Sequence, residues 1–95
     1  MKDYVGAMCL YLLEIDLYFA GKDEETTKAV TDIKKAIDKY IEKPERETFK
    51  EIDKLFITYF FTDGQRKEKY NKVAKSIDNL GEMIYRTKKE LFKFN

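Results

Sequence analysis

Residues 49–61 read Phe-Lys-Glu-Ile-Asp-Lys-Leu-Phe-Ile-Thr-Tyr-Phe-Phe, and their reading decides the fold. Alone, the run from Leu55 to Phe61 fits a buried strand. The apolar positions Phe49, Ile52, Phe56 and Tyr59 follow steps of three and four, which line one side of an α-helix. No partner strand suggests itself elsewhere in the sequence, so the segment is read as a helix.

The same spacing recurs on both sides. Val5, Met8, Leu12, Ile15 and Phe19 form one stripe, and Val30, Ile33, Ile37 and Tyr40 a second. Tyr70, Val73, Ile77, Leu80 and Ile84 form another, after the aromatic segment. Gly21, Pro44 and Gly64 fall between the sets, where helices end or restart. The expected fold is all-α: an antiparallel bundle of four helices over about 3–20, 23–43, 45–62 and 65–92, in a single domain spanning 1–95.

Local signals mark the ends. Asp3 is a candidate N-cap, and Gly21 suits a left-handed helix terminus. Asp23, Glu24 and Glu25 complement the positive end of the second helix. Pro44 suits the first turn of the third. Thr62-Asp63-Gly64 reads as a turn, with Asp63 a candidate cap for the fourth helix. A fourth helix of 28 residues would extend about 42 Å, so it either overhangs the bundle or bends. Asp78, Asn79 and Gly81 are its weakest helix formers, which places the expected bend there.

Composition narrows the chemistry. The 95 residues include no His, one Cys and one Pro. Without His, the usual general base and the commonest metal ligand are missing. A single Cys forms no internal disulfide, and Cys9 sits among apolar residues as a small hydrophobe. Glu47 and Glu51 are flanked by Arg46, Lys50 and Lys54, as on a salt-bridged surface. Glu14 and Asp16 point to different sides of their helix; one is expected to pair with a Lys or Arg of the fourth helix. No Gly-rich phosphate loop occurs. The expectation is a protein without catalysis, cofactor, metal or small-molecule substrate. Lys2 and Asp3 precede no cleavage site of a signal peptide. The segment from Tyr4 to Ala20 carries Glu14 and Asp16 and is shorter than the roughly 20 apolar residues of a span. A cytoplasmic protein is expected.

Two surfaces stand out as binding candidates. The net charge is +1, yet residues 64–95 hold nine basic and four acidic groups. Arg66, Lys67, Lys69 and Lys72, with Lys75, form one cluster, and Arg86, Lys88, Lys89 and Lys93 another. These suit a protein partner and, less well, nucleic acid or peripheral contact with an acidic membrane. Part of the asymmetry is expected to serve pairing between helices. The first helix carries surplus apolar lines: Tyr4, Tyr11 and Tyr18, and Leu10, Leu13 and Leu17. Either this helix is central in the bundle, or these six residues meet another chain as a homo-oligomer interface. Seven tyrosines also favour protein binding, since tyrosine is an interface residue.

The stretch from Ile52 to Phe61, the later Tyr70, and the run Ser76-Ile-Asp-Asn-Leu-Gly81 together resemble the immunity proteins of class II bacteriocins. The resemblance covers about a third of the chain. It implies a small cytosolic four-helix bundle that protects its producer by recognising a membrane receptor–peptide complex from inside. It also implies that the C-terminal half, including Arg86 to Lys93, sets specificity. The alternatives are an oligomeric regulator or inhibitor of a host protein, of mobile-element or viral origin, and a nucleic-acid-binding bundle using the basic fourth helix.

Overall fold

A computed structural model describes residues 3–93. Helix α1 spans Tyr4–Phe19, α2 Glu24–Glu42, α3 Arg46–Phe60 and α4 Ala74–Leu91. Between α3 and α4 lie two short strands, β1 (Phe61–Thr62) and β2 (Gln65–Arg66), and a 3-10 segment, Glu68–Val73. The fold is all-α with four helices, as the apolar spacing predicts.

The helices form a ring. The closest pairings are α1 with α4 and α2 with α3; α1 also packs on α2, and α3 on α4. Three contacts between the helices fit an antiparallel order. Near the start of α3 and the end of α4, Arg46 Nε donates to the Leu91 carbonyl at 3.4 Å. Late α3 meets mid α2 where the Tyr59 hydroxyl donates to Asp32 at 2.5 Å. Late α1 meets early α4 where the Ser76 hydroxyl donates to Glu14 at 2.8 Å. Glu14 thus does pair with α4, through a serine rather than the expected cation, and it stays exposed.

One core joins all four helices and the 3-10 segment. Met8, Leu12, Ile15, Ile33, Ile37, Phe49, Ile52, Phe60, Tyr70, Ile77 and Leu80 are all nearly or fully buried in it. The aromatic end of α3 builds the far layer: Phe19, Tyr70 and Phe60 stack edge to face at centroid distances of 5.6 and 4.9 Å. Such edge-to-face pairs add to the burial energy of the rings themselves.

The ends of α1 and α2 follow the sequence. Asp3 caps α1, its carboxylate accepting from the Gly6 amide at 3.0 Å. After α1 the backbone turns left-handed at two residues, Ala20 (φ 50°) and Gly21 (φ 75°). Pro44 does not open α3. It precedes the N-cap Glu45, and Thr48 locks that corner, accepting from the Glu45 amide at 3.3 Å and donating to the Lys43 carbonyl at 2.6 Å.

The third connection departs from expectation. Asp63 (φ 53°) and Gly64 (φ 79°) both have positive φ, and Thr62 pairs with Gln65. This is a two-residue hairpin of the type that demands positive φ twice, which Asp-Gly supplies. Asp63 is therefore a turn residue, not a helix cap. The Lys67 amide donates to the Phe60 carbonyl at 2.9 Å and ties the hairpin to the end of α3. α4 begins at Ala74, not Gln65. Asp78–Gly81 lie inside unbroken α-helix, so the helix does not break there. The change of geometry falls at Val73, where 3-10 gives way to α. Gly81 serves close packing: a Cβ there would stand 3.2 Å from Cζ of Phe56.

Candidate functional site

The two basic clusters behave differently. In the first, most cations are drawn inward. Arg66 lies 3.5 Å from Asp78, and Lys67 3.2 Å from Glu25. Lys69 bridges the N-terminus of α2, 3.0 Å from Asp23 and 2.5 Å from Glu25. Hydrogen bonds from Thr26 and Lys69 hold the Asp23 carboxyl below its ordinary pKa, and those from Lys69 and Lys67 do the same for Glu25. The reciprocal bond to Glu25 raises the Lys69 ammonium. The charge asymmetry thus partly serves to clamp the 3-10 segment onto α2. Lys72 and Lys75 remain on the exposed side.

The second cluster divides between two hollows that meet at Tyr85. Arg86 pairs with Glu82 one turn back at 2.8 Å, which raises its pKa. Lys88 stands 4.0 Å from Asp53 of α3. Lys89 lies over the Tyr85 ring, 5.6 Å from its centroid, and Lys93 is exposed. Beside these cations α3 and α4 part to leave a groove with a volume of about 340 Å³. Phe56 and Gly81 lie in it together, Asp53 and Lys88 line it with them, and the hairpin glycine Gly64 borders it. Ile57 and Tyr85 line it while more than half exposed, at 52% and 55%. Tyr85 also lines a second hollow of about 500 Å³ with Tyr4, Arg86, Lys89 and Lys93. Sequence reasoning found the cations of this surface and missed the groove. Ile57 and Tyr85 lie off the main stripes, and that was the available signal.

The surplus apolar lines of α1 separate. Leu10, Leu13 and Leu17 are 53, 50 and 66% exposed, and Tyr18 is 54% exposed. Tyr4 and Tyr11 are half-buried, and Tyr11 packs against the core. So α1 is not buried all round, and its leucine line faces outward.

Among the described residues no group of three or more His, Cys, Asp or Glu is placed to hold a metal ion. Cys9 is half-buried against the core, and burial pushes its thiol pKa up, away from the reactive thiolate. No described helix is long and apolar enough to cross a membrane. The class the fold defines is a small all-α four-helix protein with a grooved face on α3 and α4 and an exposed leucine line on α1. No family model matches the chain, and neither a curated protein nor a solved structure does.

Proposed function

We propose that this chain is a non-catalytic, cytoplasmic protein-binding bundle, acting through its α3–α4 face in the manner of the class II bacteriocin immunity proteins it resembles. The observation that carries the reading is the groove flanked by the exposed Ile57 and Tyr85. Binding energy concentrates where an aromatic or aliphatic anchor meets an apolar recess ringed by polar groups. Here an apolar partner side chain would enter between Ile57 and Tyr85. Lys88, which lines the groove, would then engage an acidic or carbonyl group beside it, and Arg86, Lys89 and Lys93, around the neighbouring hollow across Tyr85, would engage others further along. These four cations fall in the segment to which the resemblance assigns specificity.

The test is protection. Sensitive bacteria expressing the chain are challenged with a panel of class II bacteriocins. Survival against one member, lost in Tyr85→Ala and Lys88→Glu variants of unchanged circular dichroism, supports the reading. Growth inhibition equal to an empty vector across the panel removes the immunity role. Binding is then tested by pull-down, comparing the chain with its Ile57→Glu/Tyr85→Ala variant. Identical captured proteins in both samples would remove the α3–α4 face as the binding surface.

A second reading, an oligomeric regulator or inhibitor, rests on the exposed leucines of α1.

A further inference from the structure

We infer that the α3–α4 groove takes an acidic amphipathic helix of another protein, its apolar line seated between Ile57 and Tyr85 and its carboxylates set against Lys54 and Lys89. This rests on the reading of that face as a protein-binding surface and names the chemistry of the occupant.

The walls select a helix. From Asp53 to Phe61 the groove follows α3 for about 12 Å, the length of about two turns. Phe56, Phe61 and Ile84 give it an apolar lining. An extended segment lying there would bring backbone amides and carbonyls that need partners. The adjoining strands β1 and β2 have two residues each, too short an edge to pair with it. A helix satisfies its own backbone and presents apolar side chains one turn apart.

The rim selects acid. Each wall is backed by a lysine. On α3 Lys54 precedes Ile57 by three positions, and on α4 Lys89 follows Tyr85 by four, spacings that put each pair on one side of its helix. Both lysines are exposed, and among the described residues neither has a carboxylate partner. Lys89 instead lies over the Tyr85 ring, 5.6 Å from its centroid, which keeps its ammonium at the groove wall.

The carboxylates around the groove are already matched. Asp53 stands 4.0 Å from Lys88, Asp78 3.5 Å from Arg66, and Glu82 2.8 Å from Arg86. Asp63 lines a separate hollow of the hairpin with Gln65. The face thus sets two uncompensated ammonium groups astride an apolar floor. A helix with carboxylates on both flanks of its apolar line complements that arrangement, and one with lysines there is repelled from both walls. A nucleic acid is favoured less, because a net charge of +1 gives a polyanion no long-range attraction.

The probe is a designed helical peptide of about 15 residues with one leucine line and glutamates on both flanks. A second peptide carries lysines in place of the glutamates. Each is titrated into the full isotope-labelled chain and followed by the amide resonances of Ile57, Gly64, Gly81 and Tyr85. The glutamate peptide should shift these four and bind about tenfold more tightly than the lysine peptide. No shift at about one millimolar peptide, or equal affinity for the two, overturns the proposal. Lys54→Glu/Lys89→Glu should reverse the preference; an unchanged preference in the folded variant overturns the assignment of the lysines. Should that variant unfold, Lys54→Gln/Lys89→Gln should weaken the glutamate peptide, and undiminished binding overturns the assignment equally. A single-stranded DNA oligomer that shifts the same amides at lower concentration than the glutamate peptide would overturn the proposal in favour of a nucleic-acid face. Failure of the bacteriocin challenge leaves the peptide result standing, and failure of the peptide leaves any protection standing, so the two readings fall separately.

Discussion

The hydroxyl of Tyr70 lies 2.9 Å from that of Thr26, and both side chains are buried. The direction of this bond is set by the neighbouring carboxylate. Thr26 Oγ1 is 2.6 Å from Asp23 Oδ2, an acceptor, so the threonine proton goes to Asp23. Tyr70 must then donate to Thr26. The relay ties the 3-10 segment to the first turn of α2, where Lys69 closes it by pairing with Asp23.

Removing the two ends of the bond should have unequal effects. Thr26→Val leaves the Tyr70 hydroxyl buried without an acceptor and should cost about 1–3 kcal/mol. Tyr70→Phe removes a donor while Thr26 still serves Asp23, and should cost about 1 kcal/mol. The double variant should cost less than the two single effects added together. Urea unfolding of the three variants measures this, and strict additivity would show that the hydroxyls do not act on each other.

Part of the acid limb of stability should come from the same corner. Asp23 and Glu25 have folded pKa values below their ordinary 3.8 and 4.5. Over that interval the unfolded chain binds more protons, so stability is full above the ordinary values and falls as pH drops through the folded ones. Asp23→Asn/Glu25→Gln should flatten the dependence below about pH 4.5 while lowering stability at neutral pH. Lys69 is shifted the opposite way, upward, so its contribution persists until pH rises beyond the ordinary 10.5. Thermal melts from acid to alkaline pH would show both limbs. An unchanged acid limb in the double variant would mean that other carboxylates set it.

One tyrosine should titrate late for a local reason. The Tyr59 hydroxyl donates to Asp32 at 2.5 Å, and this bond, with burial, pushes its pKa up to about 12. Asp32→Asn removes the anionic acceptor and should return Tyr59 towards its ordinary 10.0. An ultraviolet titration of wild type and variant measures the difference, with Tyr59→Phe identifying the transition. A superimposable alkaline limb in Asp32→Asn would show that the carboxylate is not the cause.

The helices were legible because their inward residues recur at α-helical spacing, which tertiary packing then respects: Met8, Leu12 and Ile15, or Ile77, Leu80 and Ile84. The segment between α3 and α4 was misread for the same reason. Tyr70 and Val73 are three apart, which fits an α-helix and a 3-10 turn equally, and both point inward in either. The decisive signal was Asp63-Gly64, a pair that favours a two-residue hairpin, outweighed by an apolar pattern that continued past it. Of the binding surface, the cations at 86–93 were legible as charge. The groove beside them was not, because it depends on how α3 packs on α4, with Phe56 against Gly81. The leucine line of α1 was legible as surplus, and its exposure needed the structure. Which basic residues turn inward depended on Asp23 and Glu25 meeting the 3-10 segment, a contact across more than 40 positions.

The hairpin makes its own prediction. Gly64 at φ 79° lies where a side chain is strained, although nothing stands within 4 Å of an added Cβ. Gly64→Ala should therefore destabilise through the backbone alone, by about 1 kcal/mol. Gly64→Asn, which tolerates that region better, should cost less. Chemical denaturation ranks the three chains. Equal stability of the Ala and Asn variants would show that the turn relaxes to another geometry.

Ala20 offers the reverse case at the end of α1. It is exposed, carries φ 50°, and its amide still donates to the Asp16 carbonyl at 2.9 Å. A non-glycine residue held there bears about 1 kcal/mol of left-handed strain. Glycine relieves the strain and gives back part of the gain as unfolded-state entropy, so Ala20→Gly should stabilise the chain by about 0.5 kcal/mol. Ala20→Val, with a branched side chain in the same conformation, should destabilise it. The order Gly, Ala, Val in melting temperature is the expected result. A Gly variant less stable than wild type would mean that the α1–α2 turn is held by something other than its backbone geometry.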